Sequence, residues 1–483
     1  MRFVLLMLLA VVPLSAQEPT SDGARLGTIT FPASGSAAAK PDFITGVLYM
    51  HSFEYDSATR AFREAQRKDP AFVMAYWGEA MTYNHPVWDQ QDLAAARAVL
   101  ARLGPTREAR AARAATARER AWLNAVEILY GEGSKPRRDT LYARAMERLV
   151  AEHPDDESKA FLALAIIGLS QGVRDVPAYM RAGALALDVM ERNPDHPGAA
   201  HYAIHAFDDP SHAPLGLKAA RAYSTIAPGA SHAQHMTTHI FLALGMWPEV
   251  IAQNIVAAGP HRDRWTAGHY TYWLHYGLLQ AGRIDEAVEL LNALRAQQQG
   301  EGSPPQRMHL AFARAQQVIT GERWNDAALE WPLQFPPRFA IPAAIDAFAR
   351  GYAAVRAADL SDAEARLSDL RSIARTDTAV QLPRLLAEQL AATVLRARGD
   401  AAAAERQLRE VAVSAAALPV EFGPPDFVKP PYEQLGEWLL LDGRPDDARQ
   451  AFESALALMP GRLLSLRGLA QAQSALGETA TGH

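Results

Sequence analysis

Apolar and polar positions alternate along most of the chain with the three-and-four spacing that is typical of amphipathic helices. Residues 93–103 and 401–411 show the pattern well, because alanine, leucine and valine recur on one face with arginine or glutamate between them. These residue types favour helix over strand. The pattern therefore predicts an all-α protein.

A repeated unit is clearest near the C-terminal end. Its small and large positions are Tyr432, Leu435, Gly436, Ala448, Phe452, Ala455 and Pro460. A second copy near the start consists of Gly46, Tyr49, Ala58, Phe62, Ala65 and Pro70. Each copy describes two antiparallel helices of about 14 residues, with small residues where the helices cross and a proline at the end.

This spacing resembles the signature of tetratricopeptide repeats, a family whose repeat period is about 34 residues. Tyr49 and Tyr83 are separated by one such period. The resemblance implies an α-solenoid, a superhelix of roughly nine to eleven antiparallel helix hairpins around a concave groove. The proline-rich stretches 331–342 and 419–431 predict breaks. We therefore expect an N-terminal superhelix over residues 41–330 and a C-terminal one over 331–483.

Three longer motifs extend the resemblance. They are His51-Ser-Phe-Glu-Tyr-Asp56, Ala75-Tyr-Trp-Gly-Glu-Ala80 and His205-Ala-Phe-Asp-Asp-Pro210. The pattern looks like a group of bacterial exported repeat proteins, which supplies no activity to carry over. Tetratricopeptide arrays serve as scaffolds, peptide receptors and enzyme appendages, so this fold alone does not give a function.

The N-terminus has the form of a secretory signal peptide. Arg2 precedes an apolar run over residues 3–12, and Ala16 ends a short segment suited to cleavage. We predict a signal peptide over 1–16 and a periplasmic or secreted protein. Residues 17–40 are rich in Gly, Ala, Ser and Pro, which predicts a flexible lead-in. No later stretch approaches the ~20 apolar residues of a membrane-spanning helix.

Charge and cysteine content narrow the classes of function. The formal charge of −6 arises from 54 acidic and 48 basic residues, a balance unsuited to holding a polyanion, so we expect no nucleic-acid partner. The chain has no cysteine, which excludes disulfides, thiol catalysis and thiolate metal sites. Any metal ligands must be His, Asp or Glu.

Histidines are concentrated in one region, because 10 of the 15 fall between residues 196 and 275. His201 and His205 are four positions apart, as are His235 and His239, so each pair lies on one helix face. The two pairs are separated by one repeat period, which sets them on neighbouring repeats. The tetratricopeptide register implies that they occupy the fifth and ninth positions of first helices and line the groove.

We predict that these four histidines together bind one divalent transition-metal ion, since zinc, copper, iron and nickel all accept imidazole. Three further residues are candidate ligands or orienting groups: His232, Asp208 and His269. Asp209 is the alternative to Asp208. His269 continues the series by one more period, but the following turn indicates a slip in register, which leaves its direction open.

Other interpretations are open. The same histidines suit an organic or peptide ligand, or a structural role in which they hydrogen-bond one another and water. His51 and His85 are also one repeat period apart and predict a second groove contact, unless the aromatic residues around them are core. Three classes of function remain: a metal- or ligand-binding module, a metal-dependent hydrolase or oxidase, and a scaffold with a protein or peptide partner in its groove.

Overall fold

The computed structural model of the protein describes residues 25–170, 175–259, 265–298, 300–336, 339–376, 379–419 and 422–477. In these ranges the chain is an all-α solenoid, as predicted. The only strands there, β1 (Asn84–His85) and β2 (Gln90–Gln91), form one short antiparallel ladder. The predicted signal peptide and residues 17–24 lie outside the described residues.

Helices follow one another along the chain with short connections. Those of the first half are α1 (Lys40–His51), α2 (Tyr55–Lys68), α3 (Val73–Met81), α4 (Leu93–Leu103), α5 (Arg107–Ala111), α6 (Ala117–Leu129), α7 (Lys135–Glu152), α8 (Asp156–Leu169), α9 (Val176–Arg192), α10 (Pro197–Ala206) and α11 (Ala213–Ile226). Those of the second half are α12 (Ser231–Ala243), α13 (Trp247–Ala258), α14 (His269–Gln280), α15 (Ile284–Gln297), α16 (Pro304–Thr320), α17 (Ala340–Arg356), α18 (Leu360–Thr376), α19 (Gln381–Ala397), α20 (Ala401–Ala416), α21 (Pro431–Leu441), α22 (Pro445–Leu458) and α23 (Leu463–Ala475). Short 3-10 turns occur at Pro86–Trp88 and Ala327–Glu330.

Consecutive helices pack as hairpins, and first helices of successive hairpins also contact one another, as α8 does α10 and α10 does α12. Glycines permit this packing. A Cβ atom at Gly46 would lie 2.7 Å from the ring of Phe62, and one at Gly436 would lie 2.8 Å from the ring of Phe452. The small and large positions of the repeat signature are therefore one contact, a phenyl ring seated on a helix position that lacks a side chain.

The N-terminal segment differs from the expected flexible lead-in. Residues 25–36 form neither helix nor strand, but they pack on the solenoid. The Thr28 N–H donates to the carbonyl oxygen of Asp195, which precedes α10, at 2.9 Å. Phe31 is buried and packs edge-on against Phe43. The prediction was wrong for residues 25–39, because a composition rich in small residues does not show the apolar anchors between them.

The superhelix brings distant parts of the chain together. Helix α1 contacts α10, and the indole N–H of Trp247 donates to the Gly461 carbonyl oxygen at 2.8 Å. One apolar cluster includes both Phe312 and Phe339, so the proposed boundary at 330/331 does not separate two cores. No helix in the described ranges has the length and apolar character needed to cross a membrane.

Candidate metal centre

The two predicted histidine pairs lie on α10 and α12, which are the first helices of successive hairpins and contact each other. His201 and His205 are the fifth and ninth residues of α10, and His235 and His239 hold the same places in α12. All four side chains are buried, His201 and His235 completely. The predicted helix positions are therefore right, but the histidines are buried, and their contact with a groove ligand stays a prediction.

The first triad consists of His201, His205 and His232, each of which offers a nitrogen within 4.8 Å of the other two. His201 Nδ1 lies 2.6 Å from the His51 carbonyl oxygen, which can only accept a hydrogen bond. Nδ1 therefore carries the hydrogen, and the lone pair of His201 is on Nε2, 3.1 Å from His205 Nε2. His232 Nε2 is buried with no hydrogen-bond partner.

The second triad consists of His235, His239 and His269, with the same 4.8 Å limit between their nitrogens. His235 Nδ1 lies 2.9 Å from Asn254 Oδ1, and His239 Nδ1 lies 2.5 Å from Asp208 Oδ2. The amide of Asn254 is oriented by its own N–H bond to the Val250 carbonyl oxygen.

Both Nδ1 atoms of this α12 pair therefore donate to fixed acceptors, and both lone pairs are on Nε2. The two Nε2 atoms face each other at 3.2 Å. Two lone pairs at this distance repel unless a cation lies between them. Nitrogen ligands at ~2.0–2.1 Å from a tetrahedral ion lie about 3.3 Å apart, so the spacing suits a metal ion.

Burial lowers the pKa of His201, His232 and His235, and neighbouring histidines lower it further. The pKa of His269 is also lowered, by desolvation and by His235, although its side chain is exposed to solvent. Neutral imidazole is the form that binds a metal ion. These histidines are therefore in the binding form at neutral pH.

The structure places the four predicted histidines in two separate groups rather than one. His201, His205, His235 and His239 do not bring their nitrogens together as one group, and the rings of His205 and His239 are 6.0 Å apart between centroids. The reason is directional. The Nε2 atoms of each pair face each other along their own helix, so the third nitrogen comes from the first turn of the next first helix. That helix is α12 in the first triad and α14 in the second.

His269 shows the consequence of the slip in register. It is the first residue of α14, whereas His232 is the second residue of α12. The interval between these two histidines equals the interval between the turn glycines Gly245 and Gly282 that end the same first helices. His269 is thus the equivalent of His232 and not of His235, and the two triads are copies of one arrangement.

The two neighbouring aspartates have different roles. Asp208 follows α10 but accepts from His239 on α12, so it orients a histidine of the next repeat. Asp209 instead accepts from the backbone N–H groups of Ser211 and His212 at 2.9 and 3.0 Å. Asp208 is therefore the orienting carboxylate, as the first of the two alternatives had it.

A third group, the buried trio of His51, Glu157 and His196, also lies within 4.8 Å and is entirely buried. His51 Nε2 is 2.9 Å from Glu157 Oε2, and His51 Nδ1 is 2.9 Å from the Tyr202 hydroxyl. Burial opposes ionisation of Glu157, but the two histidines outweigh it and lower its pKa to about 2. The carboxylate accepts, so His51 Nε2 carries the hydrogen and Nδ1 accepts from Tyr202.

His196 completes the trio with the same polarity. Its Nδ1 accepts from the Ala199 N–H at 3.1 Å, which leaves the hydrogen on Nε2, 3.2 Å from Glu157 Oε1. His51 therefore donates to the carboxylate, His196 Nε2 lies beside it without a hydrogen bond, and neither histidine presents a lone pair to a cation. The predicted groove contact is wrong for His51, because the packing of α1 on α10 buries it.

His85 does not join any of these groups. Its ring stacks on Tyr55 with centroids 4.0 Å apart, and its Nε2 lies 3.0 Å from the Thr82 carbonyl oxygen. The side chain is half-buried. Its proposed contact with a groove ligand stays a prediction.

Aromatic rings border both triads. Phe53 lies 4.2 Å from His201, 5.5 Å from His232 and 5.8 Å from His205 between ring centroids. Trp273 lies 4.4 Å from His239 and 4.7 Å from His235. Neither Asn254 nor Phe53 could be found by spacing, because each comes from a different helix or loop than the histidines it contacts.

Comparison with known proteins adds little to this geometry. No family model matches the chain, and no curated protein matches it. Solved structures similar to it include the APC/C hetero-tetramer Cut9-Hcn1 (12% identity, 92% of this chain and 78% of that chain covered, TM-score 0.35), the human IFIT1 dimer with m7Gppp-AAAA (11%, 92% and 92%, 0.36) and yeast Tom70 (12%, 89% and 87%, 0.31). Likeness at this level says nothing about function, and the tetratricopeptide-type fold rests on the hairpins of the chain itself.

Proposed function

We propose that the chain is a metal-binding protein whose layer of first helices holds two divalent transition-metal ions, one in each triad. The observation that carries this proposal is the pair of Nε2 atoms of His235 and His239. Asp208 and Asn254 hold both Nδ1 hydrogens, so the two lone pairs converge at 3.2 Å. A carboxylate–histidine–metal arrangement has this form.

A purely structural role accounts less well for the second triad. A hydrogen bond between the two Nε2 atoms would need a second proton on one ring, and burial and His239 lower the pKa of His235. The donor set is nitrogen only, which suits zinc, copper, nickel and iron rather than calcium or magnesium. The first triad supports a second ion, because its three nitrogens also lie within 4.8 Å of one another.

The test is elemental analysis of the chain purified without an affinity tag, followed by titration of the stripped protein with zinc, copper, nickel and iron. We expect two ions per chain. His269→Ala and His232→Ala should each remove one ion and weaken that site at least ~100-fold, since each takes away one of three ligands. Both side chains lie outside the fully buried core.

His153→Ala is the matched control, because this partly exposed histidine lies outside both triads. It should leave the metal content unchanged. A parent protein that carries no metal and shows no site of micromolar affinity or better would refute the proposal. A protein or peptide partner in the groove would then be the leading interpretation, and its binding should be indifferent to the triad histidines.

We also propose that the protein is exported. Arg2, the apolar run 3–12 and Ala16 support cleavage after Ala16. N-terminal sequencing of the mature protein should begin at Gln17. Recovery of full-length chain that retains Met1 would contradict export by this route.

A further inference from the structure

The two triads repeat one geometry but differ in what surrounds their third histidine. In the first triad that residue is His232, which is half-buried beneath the rings of Phe53 and Trp88, at 5.5 and 6.1 Å. In the second triad it is His269, which is exposed. Three histidines leave a tetrahedral ion with one position to fill, so this difference decides what can fill it.

Phe53 lies against the first triad. Its ring contacts all three histidines and its side chain is 8% exposed. The residue adopts a φ of 57°, a left-handed conformation that is rare for a side chain of this size. The fold therefore accepts local backbone strain to place an apolar ring against these imidazole rings.

An aromatic ring also contacts all three histidines of the second triad, because Trp273 lies 5.5 Å from His269 as well as close to His235 and His239, but here the third histidine is exposed. Trp273 is on α14, the helix that begins with His269, and its ring packs against the loop at Gly423, where a Cβ atom would lie 2.3 Å from it. It thus forms the floor of the site, while the His269 side opens to solvent. His309 stands nearby, with its ring centroid 6.3 Å from that of His269.

Charge favours an anion at the open position. The second triad contributes three imidazoles and one carboxylate behind them, Asp208, so a bound divalent ion keeps a net positive charge. Aromatic rings on the floor of the site reduce screening by water. A small anion with an oxygen or nitrogen donor atom meets both conditions.

We infer that the second triad holds an ion with an exchangeable coordination position, occupied by water and displaced by small anions, whereas Phe53 closes that position at the first triad. The inference rests on the proposed function. Three-histidine sites with one open position are the kind that carry out Lewis-acid chemistry, so the second triad is the place where a substrate would bind.

Cobalt(II) and azide provide the test, because the visible spectrum of protein-bound cobalt responds to a change in its ligands. Azide should change the spectrum of the cobalt-loaded full chain and of His232→Ala, which keeps the second triad. It should not change that of His269→Ala, which keeps only the first.

The Phe53→Gly substitution should allow azide to change the cobalt spectrum of the first triad. Glycine tolerates the left-handed conformation of this residue and removes the ring, so His269→Ala combined with Phe53→Gly should acquire an azide response that His269→Ala lacks. Equal responses in the two single variants, or no response in the parent, would overturn the inference while leaving two-ion binding intact. Failure of every protein to bind cobalt or the other metals would instead overturn the proposed function, and this inference with it.

Discussion

The second triad and the buried trio both gather three metal-binding groups within 4.8 Å, yet they are opposite in polarity. In the buried trio, His51 donates to Glu157, His196 Nε2 lies beside the same carboxylate, and no lone pairs converge. In the second triad, Asp208 and Asn254 take the hydrogens of His239 and His235 from behind, and the lone pairs converge. Proximity of histidines is thus a poor guide to a metal site, and the acceptor on the far nitrogen is a better one.

The first prediction concerns a substitution that disrupts the buried trio, and we expect it to have the largest effect on stability. Glu157→Ala removes the buried carboxylate that accepts from His51 and lies beside His196, and should lower the free energy of unfolding by about 3–5 kcal/mol. Denaturant unfolding measures this change. Glu152→Ala, at an exposed glutamate that ends α7, is the control and should have little effect.

The metal content of folded Glu157→Ala should equal that of the parent, because the trio presents no lone pair. Loss of an ion in this variant would show that the trio binds metal, and its polarity would then not distinguish it from the second triad.

The second prediction concerns the stability of the protein at low pH, where a buried histidine outside the triads should resist protonation. Burial lowers the pKa of His275 to about 4, although its Nε2 donates to Gln317 Oε1 at 3.2 Å. Between pH 6.5 and 4 the unfolded chain takes up a proton at this residue and the folded chain does not. Stability should therefore fall as the pH is lowered through that range, by roughly 3 kcal/mol from His275.

The measurement is the free energy of unfolding of chelator-treated protein against pH, for the parent and for His275→Gln. The difference between the two curves should change across pH 6.5 to 4 and become constant below it. Parallel curves would contradict a neutral buried His275.

These differences also explain what the sequence could and could not predict. Local spacing was sufficient for the hairpins and for the fifth and ninth positions of α10 and α12, because helix periodicity and a regular repeat fix them. The third ligands were harder, since the longer interval before His269 shifts its register.

The burial of His51 could not be predicted, because it depends on contact between α1 and α10. The two helices are about 150 residues apart in the chain, and their contact follows from the cumulative curvature of the superhelix. The role of Asp208 was only half predictable. Its position three residues after His205 was clear, but its partner is His239 in the next repeat.

The third prediction, which has the smallest expected effect, tests the hydrogen bond between Asp208 and His239. Asp208→Asn keeps the size of the side chain but removes the negative charge behind His239, and carboxylates in this position typically contribute 10–100-fold, about 1.4–2.7 kcal/mol, to metal affinity. We expect a loss in that range at the second triad and none at the first, measured by metal titration in the His232→Ala and His269→Ala backgrounds. Asp209→Asn is the matched control, because Asp209 is also buried but bonds Ser211 and His212. An equal loss from both aspartates would show that the turn after α10 acts only through its shape, whereas a loss confined to Asp208→Asn would show that one repeat tunes the metal site of the next through a single hydrogen bond.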